Sequence, residues 1–131
     1  MNQFRKSLLI AISLFFLSAC ANSTKAPSKV KTELYFGLSK ENVQIPEATW
    51  DTFKLDIIEN ILDGYTELKA KGYWKSPDGT KYYENSRVIV YIHDNSPAEQ
   101  IKLDSIVKLY KDEFDQESVL VTEQEIDFEF Q

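Results

Sequence analysis

The chain has 131 residues, 21 of them acidic and 15 basic, for a net charge of −6. That length suits one domain with its own core, and the acidic balance argues against nucleic acid, whose phosphates call for a basic patch. One cysteine excludes an internal disulfide and a zinc–thiolate cluster.

Arg5 and Lys6 open the chain with positive charge, and Leu8 to Leu17 is apolar except for Ser13. A spanning helix needs about 20 apolar residues, so this shorter run reads as a secretory signal. Leu17-Ser18-Ala19-Cys20 closes it. These four residues resemble the lipobox of bacterial lipoprotein precursors. The resemblance implies cleavage before Cys20, a diacylglycerol thioether on its sulfur, and fatty acylation of the new amino terminus. Several acyl chains hold far better than one, because each buried CH₂ contributes about 0.8 kcal/mol. Ala21 rather than Asp follows the cysteine, which for such lipoproteins implies the outer membrane in a cell that has one. The expected place is therefore the cell envelope, facing the periplasm, with the covalent lipid on Cys20 as the membrane contact. Losing residues 1–19 leaves 112 residues and, with Arg5 and Lys6 gone, a net charge of −8.

Residues 20–31 follow as the lipidated cysteine and a flexible tether without apolar periodicity. As a coil the tether spans on the order of 17–20 Å. Residues 32–131 are expected to form a single globular α+β domain. Thr32 to Leu38 reads as a strand, with Leu34, Phe36 and Leu38 on one face at period two. Pro46 suits the first turn of a helix, where Trp50, Phe53, Ile57, Ile58, Ile61 and Leu62 recur at helical spacing and Gly64 stands at the expected C′ position. Tyr65 to Lys75, the turn Ser76-Pro77-Asp78-Gly79, and Thr80 to Glu84 read as a hairpin that Arg87 to His93 continues. Ser96-Pro97 and Glu99 combine an N-cap, a proline at N1 and a capping-box acid ahead of Leu103, Ile106, Val107, Tyr110 and Phe114. Residues 118–122 and 124–130 supply the last strand, where Ile126, Phe128 and Phe130 alternate with Asp127 and Glu129. The order β-α-β-β-α-β predicts a ferredoxin-like sandwich: a four-stranded antiparallel sheet in the order 4-1-3-2, with two helices on one face.

Thr32-Glu33-Leu34-Tyr35-Phe36-Gly37, Trp50 with Phe53, Asp63-Gly64, Gly72-Tyr73-Trp74, Glu84-Asn85-Ser86-Arg87-Val88 and Phe114-Asp115-Gln116-Glu117-Ser118-Val119-Leu120 fall in a characteristic order. Together they resemble a family of small bacterial secreted proteins and lipoproteins catalogued as a domain of unknown function. The resemblance spans Thr32 to Phe130 and implies no activity. Relatives often carry Pro-Arg-Phe-Pro before Asp-Gly where this chain has Asn60-Ile61-Leu62, so no anion-binding role is carried over to that loop.

No catalytic, cofactor or metal site is read from the residues. His93, the only histidine, sits at a strand end before Asp94-Asn95-Ser96 and reads as a turn residue rather than part of a serine–histidine–acid set. Asp112, Glu113, Asp115 and Glu117 read as a solvated helix end rather than as converging metal ligands. Two candidate sites remain. Topology brings Gly37, Ser86, Arg87, Glu117 and Ser118 to one sheet edge, either as a polar recognition cluster or, more plainly, as an Arg87–Glu117 ion pair. The sheet face opposite the helices is the other. If Leu34, Val88, Val90, Ile92, Ile126, Phe128 and Phe130 point inward, then Tyr35, Ile89, Tyr91, Asp127 and Glu129 point outward, as an interaction face. Tyr73, Trp74, Tyr82 and Tyr83 on the hairpin read as core or cross-strand packing. The chain therefore reads as a non-catalytic envelope binding or interaction module, whose partner is a second copy or another envelope protein. The alternative is a small-ligand binder or enzyme using the open face, by analogy with dimeric ferredoxin-like oxygenases.

Overall fold

The central strand β1 (Lys29–Gly37) sets the architecture: Val30, Thr32, Leu34 and Phe36 are buried and alternate with partly exposed neighbours. The computed structural model describes residues 29–40 and 43–131, so the signal segment, Cys20 and the rest of the tether lie outside the described residues. Because Val30 continues the inward alternation, the strand begins three residues before the expected Thr32. A small hairpin follows, β2 (Ser39–Lys40) and β3 (Val43–Gln44).

Helix α1 (Glu47–Phe53), a π-helical stretch Lys54–Ile58 and a last turn α2 (Glu59–Ile61) form one continuous rod. Trp50, Phe53, Ile58 and Leu62 are its buried residues. The step from Phe53 to Ile58 exceeds the 3.6-residue repeat of an α-helix, and the wide π turn between them returns both to the core face. Pro46 stands at the N-cap, outside the helix. Leu62 leaves the helix in an extended conformation to enter the core, so Gly64 is not the left-handed cap expected of it; Gly79 is the one glycine with positive φ among the described residues.

β4 (Thr66–Lys75) and β5 (Lys81–Asp94) make the long hairpin, its turn held by Asp78, which accepts from Thr80 N and the Ser76 hydroxyl. The two segments expected between Thr80 and His93 are one strand. Helix α3 (Pro97–Phe114) starts at Ser96, whose hydroxyl accepts from Glu99 N. Glu99 does not return the bond; its carboxylate serves Tyr91 and Lys102 instead. β6 (Leu120–Ile126) ends the sheet, which runs β4-β5-β1-β6, antiparallel throughout. Among the long strands that is the expected 4-1-3-2 order, an α+β ferredoxin-like sandwich. No helix among the described residues is long and apolar enough to cross a membrane.

The core lies between the sheet and the helices, with Leu34, Phe36, Trp50, Phe53, Ile58, Ile89, Leu103, Ile106 and Tyr110 at its centre. Tyr110 meets Phe36 at 4.7 Å and Phe53 at 5.4 Å between ring centroids, both edge-on, the arrangement that aromatic quadrupoles favour.

Two face assignments are corrected. Leu34 pairs with Ile89, Thr32 with Tyr91 and Val30 with His93. Directly paired residues share a face, so Ile89 and Tyr91 point into the core, while Val88 and Ile92 face the other way. The stretch Val88 to Ile92 is apolar on both sides, so alternation alone could not orient it. At the other edge, Lys29 pairs with Ile126, which puts Ile126 on the open face. The strand ends there, leaving Asp127, Phe128, Glu129 and Phe130 beyond it and exposed.

Candidate functional site

Arg87 enters the helix side of the sheet from a position opposite Phe36 on β1 and Lys69 on β4. Its residue surface is only 5% exposed. A buried guanidinium needs paired acids, and the first helix and β4 supply them. Arg87 Nη2 donates to Glu47 Oε1 at 2.9 Å. Arg87 Nε lies 3.1 Å from Glu67 Oε1, an ion-pair contact off the N–H direction, so this buried N–H has no hydrogen-bond acceptor among the described residues. Glu67 is committed elsewhere, accepting from Trp50 Nε1 at 2.8 Å and Lys54 Nζ at 3.1 Å. Lys69 bonds Glu47 from outside. That bond, Lys69's charge and Arg87 together hold the Glu47 carboxyl below its ordinary pKa.

A cavity of about 380 Å³ opens over this network, lined by Leu38, Gln44, Ile45, Glu47, Lys69, Ala70, Lys71, Asn85 and Arg87. The β2–β3 hairpin forms one wall, tied to β5 by Asn85 Nδ2 donating to Gln44 Oε1 at 3.0 Å and by the Ser39 hydroxyl donating to Glu84 at 3.1 Å. Glu84 reaches Ser39 across Gly37, where a Cβ would collide with the Glu84 carboxylate. Tyr110 donates to the Gly37 carbonyl from below. Burial, followed by the charge of Glu84, raises the pKa of that phenol. A second, more open cavity of about 460 Å³ lies on the far side of Gln44 and Ile45, between the hairpin and Phe114.

The residues singled out from sequence scatter. Arg87 is in the site, but paired with Glu47 and Glu67 rather than Glu117. Glu117 and Ser118 are exposed on the connection after α3, and Ser86 lies on the opposite sheet face, paired with Gly37 and Ala70. Of the expected interaction face only Tyr35 is where it was placed, its hydroxyl donating to Glu33 at 2.8 Å. Ile89 and Tyr91 are core, and Asp127 and Glu129 follow the last strand. His93 is buried: its Nδ1 meets the Asp94 carbonyl at 2.8 Å and its Nε2 the Thr32 hydroxyl at 2.8 Å. A carbonyl only accepts, so Nδ1 carries a proton, and in the neutral ring Thr32 donates to Nε2. Trp74 stacks on Tyr82 at 4.2 Å and Tyr73 packs on Tyr83 at 5.1 Å, cross-strand pairs that stay largely exposed rather than entering the core. Glu47, Glu67, Lys69, Gln44 and Asn85 were not foreseen as site residues. The one available signal was Arg87 itself, a lone arginine against an apolar run that requires buried acids, without indicating which.

Fold and site thus define a ferredoxin-like α+β domain with a polar, arginine-floored pocket at one end of its sheet. The chain belongs to the family described as protein of unknown function (DUF3574), which matches residues 31–130. Among solved structures it is similar to a phage SAM lyase in complex with S-methyl-5'-thioadenosine, at 22% identity and a TM-score of 0.58, covering 76% of this chain and 83% of that one. It is likewise similar to a phage SAM lyase in the apo state, at 21% identity and a TM-score of 0.55, covering 76% and 82%. No curated protein matches. At these identities the likeness is one of fold.

Proposed function

We propose that this is a lipid-anchored protein of the bacterial envelope whose domain binds a small anionic molecule in the Arg87 pocket. The observation that carries the reading is Arg87 itself: an almost wholly buried guanidinium at the floor of a cavity that also receives Lys69 and Lys71. Three cations line it with one acid, Glu47, while Glu67 pairs with Arg87 from behind, in a chain of net charge −6. Such a local excess favours a carboxylate or phosphate, the groups a guanidinium recognises best. Leu38 and Ile45 supply an apolar wall, and the volume falls within the roughly 300–1,000 Å³ of small-molecule sites. The open sheet face, where the oxygenase analogy placed the ligand, carries neither cavity.

The fold likeness supplies the first probes. S-adenosylmethionine carries a carboxylate together with an ammonium and a sulfonium, and S-methyl-5'-thioadenosine carries none of these. The pair therefore tests the amino-acid portion against the nucleoside, while citrate and inorganic phosphate test the anion alone. Thermal unfolding of the full chain in detergent is measured with each, and with citrate and inorganic phosphate. A ligand at 100 times its Kd stabilises by about 2.7 kcal/mol. The expected result is a raised midpoint with at least one anionic probe, abolished by Lys71→Ala. If no anionic probe shifts the midpoint, or Lys71→Ala leaves the shift intact, the pocket reading fails.

A further inference from the structure

The two edges of the sheet carry opposite charge. β4 presents Lys69, Lys71 and Lys75 beside a single acid, Glu67, whereas β6 and the tail after it hold Glu123, Glu125, Asp127 and Glu129 with no basic residue. Each is an outer strand of the sheet with one edge unpaired among the described residues. β6 is also exposed over nearly its whole length, including Leu120 at 60% and Val121 at 40%, because the helices do not reach over it. Leu68 and Trp74 on β4 are about half exposed, at 50% and 51%.

From these edges we propose that β6 of one copy of this chain pairs antiparallel with β4 of a second, extending the sheet from molecule to molecule. The directions allow it. β4 and β1 both run antiparallel to β5, and β6 runs antiparallel to β1, so a second copy in the same orientation offers its β4 antiparallel to β6. One register satisfies both faces. Setting Lys71 against Glu123 of the second copy also sets Lys69 against Glu125. These four side chains share the helix side, since Lys69 pairs with the inward Arg87 and Glu123 with the inward Thr32. On the open side the same register brings Trp74 against Leu120 and Leu68 against Ile126, and it uses all seven residues of β6. Sliding two residues one way puts Glu67 against Glu125, a like-charge pair that destabilises. Sliding two the other way sets Tyr73 against Glu123 and parts Trp74 from Leu120.

The charges also exclude the competing pairings. β4 against another β4 opposes lysines, and β6 against another β6 opposes glutamates, the protection that edge strands commonly carry against promiscuous pairing. Only the unlike edges attract. The contact is head-to-tail, so copies close into a ring or continue as a row. Lys69 and Lys71 also line the pocket, so Glu123 and Glu125 of the second copy take up the charge that an anion would meet there, and assembly and anion binding oppose each other. The interface rests on the edges and not on occupancy of the pocket, and its test reads mass rather than ligand binding.

The full chain is sedimented to equilibrium in excess detergent, as wild type, Lys71→Glu, Glu123→Lys and the double exchange. All substitutions are at exposed positions, and a cooperative thermal transition in each confirms folding. The expected wild-type mass is two chains or more. Each single reversal should raise the dissociation midpoint by about tenfold or more, because like charges now meet, and the double exchange should restore assembly. A monomeric wild type overturns the proposal. So does assembly indifferent to the single reversals, which would place the contact on the open face or elsewhere, and so does failure of the double exchange to rescue.

Discussion

Replacing Arg87 by methionine tests whether the buried ion network is what orients β5. Methionine keeps the apolar stem and removes the guanidinium. Removing one member of a buried ion pair costs about 3–5 kcal/mol when the abandoned charge has no other partner. Here the abandoned acids are partly provided for. Glu67 keeps Trp50 Nε1 and Lys54, and Glu47, with 57% of its side chain exposed, keeps Lys69. The cost should therefore fall to about 2 kcal/mol. For a domain of this size that lowers the midpoint by about 8–16 °C, at roughly 4–8 °C per kcal/mol. The assay is urea and thermal unfolding of wild type, Arg87→Met, Glu67→Gln and the double variant. The two losses should not add: once Arg87 is gone, neutralising Glu67 removes a charge that has lost a partner, with a coupling of about 1 kcal/mol. If Arg87→Met stays within about 0.5 kcal/mol of wild type, the guanidinium is not buried against these acids and both the orientation of β5 and the pocket floor are wrong.

The facing of β5 gives a sharper contrast. Ile89→Ala should cost about 3 kcal/mol in urea unfolding and Ile92→Ala under 1, since only the first empties core volume; the reverse ranking would refute the register. Glu99 has its pKa lowered by the hydrogen bonds from Lys102 and then Tyr91. A depressed carboxylate adds stability that is complete above its unfolded pKa and is lost as pH falls through the folded value. Glu99→Gln should accordingly flatten the fall in stability on acidification below the ordinary carboxylate pKa of 4.5, and an unchanged acid limb in an unfolding series would count against that contact. At the anchor, Cys20→Ser should abolish palmitate labelling and leave the precursor unprocessed, whereas normal labelling of that variant would remove the lipoprotein reading.

Much of the architecture was legible along the chain because it depends on local periodicity. Alternation in β1, the helical spacing from Trp50 to Leu62, the Pro-Asp-Gly turn and the Ser96-Pro97 start of α3 each specify an element from neighbours a few residues apart, and their order leaves few ways to close a four-stranded sheet. Short-range pattern stops where both faces of a strand are apolar. Val88 to Ile92 could be laid down either way, and the choice falls to tertiary partners: Arg87 meets Glu47 and Glu67, His93 meets Thr32, and these polar contacts are available on the helix side alone. The π turn has the same origin, since Phe53 and Ile58 share a face only because the sheet beneath demands both. The pocket lies furthest from anything sequence spacing could reveal. Its charges come from α1, β4 and β5, brought together by strand pairing over separations of twenty to forty residues, and a one-dimensional pattern contains no distance between them. It took the folded sheet to decide that Arg87 turns away from Glu117 and toward Glu47, because burial makes a lone guanidinium seek acids that can be desolvated beside it, while Glu117 remains in water.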